Sequence, residues 1–159
     1  MKTETLEGIE PSDADTQLIY ASVFASAFLA ATILPFYSEI AVVAAVMNGY
    51  SPSTIWLSAS LGNTLGAVVN AVLGRLLPRA RLGRLLGVSD KRFDQAQRWF
   101  QRYGQWSLLL AWLPIGGDAI TVVAGVMRTR WLPFVLLVFA GKSARYAVVI
   151  WLALKSSGS

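Results

Sequence analysis

Apolar residues run through most of this chain in long blocks that charged residues seldom interrupt. Positions 16 to 38 carry no charged side chain, and none occurs between Glu39 and Arg75. Uninterrupted apolar stretches of about 18 residues or more are typical of helices that cross a bilayer. The pattern therefore predicts an all-α integral membrane protein.

Two parts of the chain share a pattern at a constant offset of 79 residues. The pattern is a leucine–proline pair, an acid four residues after the proline, and later a glycine followed by a polar residue. The first copy consists of Leu34, Pro35, Glu39, Gly62 and Asn63, and the second of Leu113, Pro114, Asp118, Gly141 and Lys142. Because the proline, the acid and the glycine all recur at the same offset, the pattern indicates an internal duplication.

Each copy is interpreted as a helical hairpin followed by one membrane-spanning helix. The apolar arms 106–113 and 119–127 are too short for a hydrocarbon core of about 30 Å, and Pro114 lies between them. Residues 106–127 are therefore predicted to form a re-entrant hairpin. The repeat extends this prediction to residues 16–49, although their first arm is long enough to cross. The spanning helices are predicted at 54–73 and 132–153.

The remaining segments complete a single membrane domain, residues 16–154, built from two inverted repeats. Residues 1–15 are predicted to be an acidic N-terminal tail and residues 155–159 a flexible end. Residues 75–105 alternate bases with apolar residues, which predicts a basic amphipathic linker lying in the headgroup plane.

The distribution of bases predicts the orientation in the membrane. The linker holds eight bases against two acids, and Arg128 and Arg130 bring the total on this face to ten of the fourteen bases. The positive-inside rule then makes residues 75–105 cytoplasmic and both termini periplasmic in a bacterial inner membrane. The same rule explains the net charge of +5 without a nucleic-acid partner.

The absence of two residue types excludes several kinds of chemistry. With no cysteine and no histidine, the chain cannot form Cys/His zinc sites, disulfides or imidazole-dependent triads. No nucleophile with an adjacent base and no metal cluster is visible in the sequence. We therefore expect a protein that is not an enzyme and uses no cofactor.

Four charged residues are predicted to meet near the middle of the membrane, where one charge costs about 3 kcal/mol. Lys142 and Arg145 lie three residues apart on one helical face, which suits an anionic headgroup. Glu39 and Asp118 are the candidates for proton uptake and release. The competing interpretation is that these acids and bases only neutralise one another and hold the hairpins to the helices.

Two asparagines of the first spanning helix, Asn63 and Asn70, complete the predicted substrate-binding set. Asn63 occupies the repeat position of Lys142, and Asn70 belongs to a stripe of small residues at every fourth position. That stripe consists of Ser58, Gly62, Gly66, Asn70 and Gly74. Such stripes allow close helix packing, which we favour here over a ligand groove.

An ordered set of short motifs resembles a known family. The motifs are LP-x3-E (34–39), GNTLG with Asn70 and GR (62–75), RYG (102–104), WLP-x2-GD (112–118), G-x-MR (125–128) and GK-x2-RY (141–146). Together they are similar to the DedA (SNARE-associated, VTT-domain) superfamily, in its short YqaA-type branch, over about residues 24 to 152. The resemblance implies two facing re-entrant hairpins and a role in lipid translocation, including undecaprenyl phosphate recycling, proton-coupled phospholipid flipping and lipid scrambling.

The chain departs from its larger relatives at the second hairpin. Those relatives carry arginines three residues before and three after the hairpin proline, where this chain has Ala111 and Gly117. A phosphate-binding role therefore cannot be carried over to these two positions, and Lys142 and Arg145 become the candidates.

The sequence favours a transporter or flippase of a phosphate-bearing lipid or lipid carrier, either undecaprenyl phosphate or a phospholipid, coupled to protons. The alternative is a membrane assembly or homeostasis factor that transports nothing and whose buried charges are structural. The expected partners are membrane lipids and an anionic lipid phosphate. The substrate, the coupling ion and homo-oligomerisation are left open.

Overall fold

The computed structural model describes residues 12–32, 37–113 and 116–157. Its elements in chain order are α1 (Asp13–Thr32), α2 (Tyr37–Met47), α3 (Pro52–Leu76), α4 (Arg79–Leu86), α5 (Asp90–Tyr103), a 3-10 segment (Gly104–Trp112), α6 (Gly117–Val126) and α7 (Trp131–Ser157). The described part is helical and contains no strand. The Leu34–Pro35 pair, Pro114, Ile115, most of the predicted acidic tail and the last two residues lie outside it.

Three of these helices are long and apolar enough to cross a membrane. The qualifying segments are Asp13–Ala31, Pro52–Leu76 and Trp131–Ser156, whereas α2 has 11 residues and α6 has 10. The all-α membrane class is therefore confirmed. The sequence predicted two full spans and treated residues 16–49 as a hairpin. The span-length α1 arises because its residues after Asp15 include neither a charge nor a proline.

Several helices extend beyond their predicted bounds. α1 begins at Asp13, inside the predicted tail, because Ser12 and Asp15 form a capping box. The Asp15 amide donates to Ser12 Oγ at 3.2 Å, and the Ser12 amide donates to Asp15 Oδ2 at 3.3 Å. α3 starts at Pro52, a residue favoured in the first helical turn. α7 continues through Ser157, into the segment that was predicted to be a flexible end.

The glycines of α3 bring neighbouring helices into backbone contact. A Cβ atom at Gly62 would overlap the carbonyl oxygen of Phe24, and one at Gly66 would lie 2.6 Å from that of Phe28. Residue numbers therefore increase in the same direction along both helices, so α1 and α3 run parallel. The packing role predicted for the small-residue stripe is confirmed at these glycines.

α3 also crosses α6 at very short range. A Cβ atom at Gly74 would overlap the carbonyl oxygen of Val122, and one at Gly125 would overlap that of Ala71. α3 and α6 run in the same general direction, because Asn63 lies beside Asp118 at the start of α6 and Arg75 meets Thr129 just after its end. Glycine on each side therefore lets the two helices meet backbone to backbone.

The basic linker folds as α4 and α5, and its apolar side faces the protein. Leu82, Phe93 and Ala96 are buried in one cluster with residues of the 3-10 segment and α6. Arg79 pairs with Asp90 and Asp94 at 3.2 and 2.7 Å. Other residues of this cluster cover the buried apolar side of the linker, where the sequence predicted contact with the headgroup plane.

Candidate functional site

The four predicted charges come from three helices that meet at the middle of α7. Lys142 and Arg145 lie on α7, Glu39 lies in the first turn of α2, and Asp118 lies in the first turn of α6. Gly116 precedes α6 with φ 98°, a left-handed conformation that favours glycine.

The charges form two ion pairs, and each base of α7 pairs with an acid from a different half of the chain. Lys142 Nζ lies 3.6 Å from Asp118 Oδ1, and Arg145 Nη2 lies 2.7 Å from Glu39 Oε1. Arg145 Nε donates to the same Glu39 oxygen at 2.7 Å, and its Nη1 donates to the Trp112 carbonyl at 3.1 Å. The arginine therefore connects α2, the 3-10 segment and α7.

A chain of buried polar groups extends from the lysine pair. Lys142 Nζ donates to Asn63 Oδ1, and Asn63 Nδ2 donates to the Tyr146 hydroxyl at 2.7 Å. The Tyr146 hydroxyl donates to Ser38 Oγ at 3.0 Å. All four side chains are buried, with Lys142 only 4% exposed. Asn63 and Lys142, the matched positions of the sequence repeat, thus touch each other.

Asn70 lies apart from this network. Its Nδ2 donates to the Ala31 carbonyl at 2.8 Å, so it joins α3 to the end of α1. It is buried, and its Oδ1 has no hydrogen-bond partner among the described residues. The structure therefore brings together five of the six predicted site residues and leaves Asn70 in a helix contact.

A small polar cavity of about 10 Å³ lies between the two ion pairs. Its polar lining consists of Asn63, Asp118, Lys142 and Arg145. A cavity of this size is at the lower limit for one water molecule. A phosphate group can therefore enter only if the acids and bases move apart.

The two positions at which the family resemblance implied arginine, 111 and 117, are tightly packed here. Ala111 is buried, and a Cβ atom at Gly117 would lie 2.5 Å from the Ala111 carbonyl oxygen. A side chain at position 117 does not fit this arrangement. The guanidinium nearest the cavity is supplied by Arg145 of α7.

The sequence analysis gave no site role to Tyr146, Ser38 or the Trp112 carbonyl. Two of them carried a detectable signal, because Tyr146 lies one helical turn after Lys142 and Ser38 directly precedes Glu39. A backbone carbonyl leaves no mark in a sequence. Within residues 12–32, 37–113 and 116–157, no three acidic side chains group closely enough to hold a metal ion.

Comparison with known proteins gives consistent matches over most of the chain. The VTT domain model matches residues 20–153. The inner membrane protein YqaA of Escherichia coli is 40% identical over 129 residues, which cover 80% of this chain and 86% of YqaA. No solved structure matches.

Two further matches carry a transporter name. Undecaprenyl phosphate transporter A of Staphylococcus aureus is 27% identical over 77% of this chain and 66% of its own length. The protein of the same name from Bacillus subtilis is 29% identical over 51% of this chain and 43% of its own length.

Proposed function

Because the chain belongs to the VTT-domain (DedA) family, we propose that it transports a phosphate-bearing lipid or lipid carrier, undecaprenyl phosphate or a phospholipid. It is a multi-pass inner-membrane protein, and distant relatives are named undecaprenyl phosphate transporters. We further propose that the chain moves its substrate without making or breaking bonds.

The observation that carries the proposal is the pair of ion pairs at the middle of α7. Removing several charges from water in a chain this small is costly, and membrane transporters accept that cost where they bind substrate. Lys142 and Arg145 supply ammonium and guanidinium donors for a phosphate, and Arg145 can bind it through two nitrogens. Asn63, which accepts from Lys142, fixes the position of the ammonium group.

The same geometry supports proton coupling through Glu39 and Asp118. Each carboxylate is paired with a base that would also bind the phosphate. Carboxylate and phosphate therefore compete for the same two bases. Protonation neutralises the carboxylates and releases the bases, and phosphate binding in turn favours protonation. Lowering the pH should therefore strengthen phosphate binding, and proton and lipid should move in the same direction.

We also propose that the two halves are inverted repeats, each a re-entrant hairpin followed by a spanning helix. The repeat glycines support this, because Gly62 packs on α1 and Gly141 packs on the 3-10 segment, the first arm of each hairpin. α2 and α6 are both too short to span, and both begin beside the middle of α7.

The proposed orientation has residues 75–105 in the cytoplasm and both ends of the chain in the periplasm. Arg75 donates to the Thr129 carbonyl, which is consistent with the linker and the α6–α7 turn lying on one face. The excess of bases on these segments then supports the cytoplasmic side.

The alternative role, a membrane assembly factor that transports nothing, is favoured by one observation. Both bases are already paired, and the cavity between them is nearly closed. Ion pairs of this kind can serve only to hold α2 and α6 against α7.

Transport by purified protein separates the two roles. The protein is reconstituted into liposomes, and the movement of a fluorescent long-chain phosphate lipid is measured with and without an inward proton gradient. We expect the gradient to accelerate movement by the wild type, and a Lys142→Met, Arg145→Met double variant to match empty liposomes. Equal rates for the wild type and empty liposomes would reject the transport proposal.

A further inference from the structure

We infer that the groove between α2, the 3-10 segment and α7 binds one hydrocarbon chain of the transported lipid while the lipid phosphate meets Arg145. This inference rests on the proposed function and specifies how the substrate lies. The groove has a volume of about 610 Å³. Its walls are mainly apolar and include Leu109, Ala144 and Val148.

The groove exists because α7 carries small residues on this side. Ala140 and Ala144 lie one helical turn apart, and Val148 continues the row. Gly141 beside them allows the backbone of the 3-10 segment to approach, since a Cβ atom there would lie 2.8 Å from the Leu109 carbonyl oxygen. The two elements meet at Gly141, and the space beside this contact stays open.

Arg145 connects the groove to the polar cavity. It lines both, together with Glu39 on the groove side and Asp118 on the cavity side. An apolar space that ends at a guanidinium matches an amphiphile with a long chain and an anionic head. The head site is closed by Glu39 and Asp118, whereas the groove is already open, so the chain can bind first.

A second groove of similar size shows why charge matters to this inference. The groove between α1 and α2 has a volume of about 620 Å³, and its lining residues, which include Ser22, Asn48 and Tyr50, carry no charge. Ordinary membrane lipid can fill such a surface without a specific head contact. The groove at Arg145 combines apolar walls with a base and its acid.

The volume of the groove indicates a single chain. A water molecule takes up roughly 30 Å³, and a methylene group is about the same size. A volume of 610 Å³ therefore accommodates about 20 methylene groups. One hydrocarbon segment of about this length fills the groove, and the rest of a longer chain, or a second chain of the same lipid, remains in the bilayer.

Photochemical cross-linking in phosphatidylcholine nanodiscs tests the inference with a hexadecyl phosphate that carries a diazirine in the middle of its chain. We expect cross-links to residues 109–112 and 140–149. Unlabelled hexadecyl phosphate should compete with the probe. Butyl phosphate lacks the long chain and hexadecanol lacks the phosphate, so each should need a concentration roughly tenfold higher or more for the same competition.

Variants of exposed alanines on α7 locate the chain. Ala144→Phe fills the groove and should reduce cross-linking roughly tenfold. Ala147→Phe adds the same bulk at an exposed position that does not line the groove, and it should leave cross-linking unchanged. If Ala144→Phe is not monodisperse, Ala140→Phe places the same ring in the groove wall.

Two outcomes would overturn the inference, and they differ in what they say of transport. If butyl phosphate competes as well as hexadecyl phosphate and both groove variants cross-link normally, the groove is not the chain site, but phosphate recognition stands. If hexadecanol competes as well as hexadecyl phosphate, phosphate recognition fails, and the proposed function fails with it.

Discussion

Among single residues, Asp118 tests whether the ion pairs serve transport or only hold helices together. Asp118→Asn keeps the size and hydrogen-bonding capacity of the side chain but removes its charge and its titration. For a transporter we expect a folded protein whose lipid movement is lost or no longer responds to a proton gradient. Thermal unfolding and transport in liposomes should be measured on the same preparation.

A purely structural role predicts a different pattern for the same variant. Leaving Lys142 buried without its acid would then cost about 3 to 5 kcal/mol. The double variant Asp118→Asn, Lys142→Met would recover much of that stability. Unstable single variants rescued by the double variant would therefore contradict the transport interpretation.

Tyr146 is the second prediction at this scale. Tyr146→Phe removes a hydroxyl that accepts from Asn63 and donates to Ser38, leaving both buried groups without this partner. We expect the free energy of unfolding to fall by about 1 to 3 kcal/mol. Tyr103→Phe changes an exposed tyrosine and serves as the control, with an expected change within about 0.5 kcal/mol. Equal stability of the two variants would contradict a structural role for the hydroxyl.

The sequence located the charged residues of the site better than it located their contacts. Glu39, Asp118 and Lys142 were found through the repeat, and Arg145 through its spacing from Lys142. Which acid each base meets depends on the rotation of α7 and on how α2 and α6 approach it, and no residue pattern encodes these. Tyr146 was part of a family motif but received no site role, because the partners of its hydroxyl, Asn63 and Ser38, lie far away in the sequence.

At the scale of elements, Gly66 tests the contact between α1 and α3. A Cβ atom there would already lie 2.6 Å from the Phe28 carbonyl oxygen and from the Ala31 side chain. We therefore expect Gly66→Leu to abolish monodisperse purification in detergent. Leu65→Phe enlarges an exposed neighbour on the same helix and should behave like the wild type. A monodisperse Gly66→Leu protein with wild-type thermal stability would show that the helices are less closely packed.

Helix type and length were the least predictable features of the elements. The two predicted spans, 54–73 and 132–153, lie within helices long enough to cross a membrane, whereas α1, which is also long enough, was assigned to a hairpin. The 3-10 winding of Gly104–Trp112 could not be predicted, because its composition would suit an α-helix equally well. The burial of the linker's apolar side was missed because the sequence does not reveal whether lipid or protein covers an amphipathic helix.

For the whole molecule, the proposed orientation predicts which loops are accessible from each side. The chain has no cysteine, so single cysteines report cleanly on accessibility. Gln101→Cys on α5 should react with an impermeant maleimide only after the cytoplasmic side is opened. Ser53→Cys and Ser156→Cys should react from outside intact cells with a permeable outer membrane. Labelling of positions 101 and 156 from the same side would contradict the inverted arrangement.

The glycine crossing of α3 and α6 also restricts how the two halves can move against each other. The backbones meet at Gly74 and Gly125, so we expect rotation about this contact to preserve it better than sliding, which would bring larger side chains against the facing backbone. Asn63 lies 11 residues along α3 from Gly74, or about 16 Å. A small rotation of α3 about this crossing would therefore produce a larger displacement at the polar site.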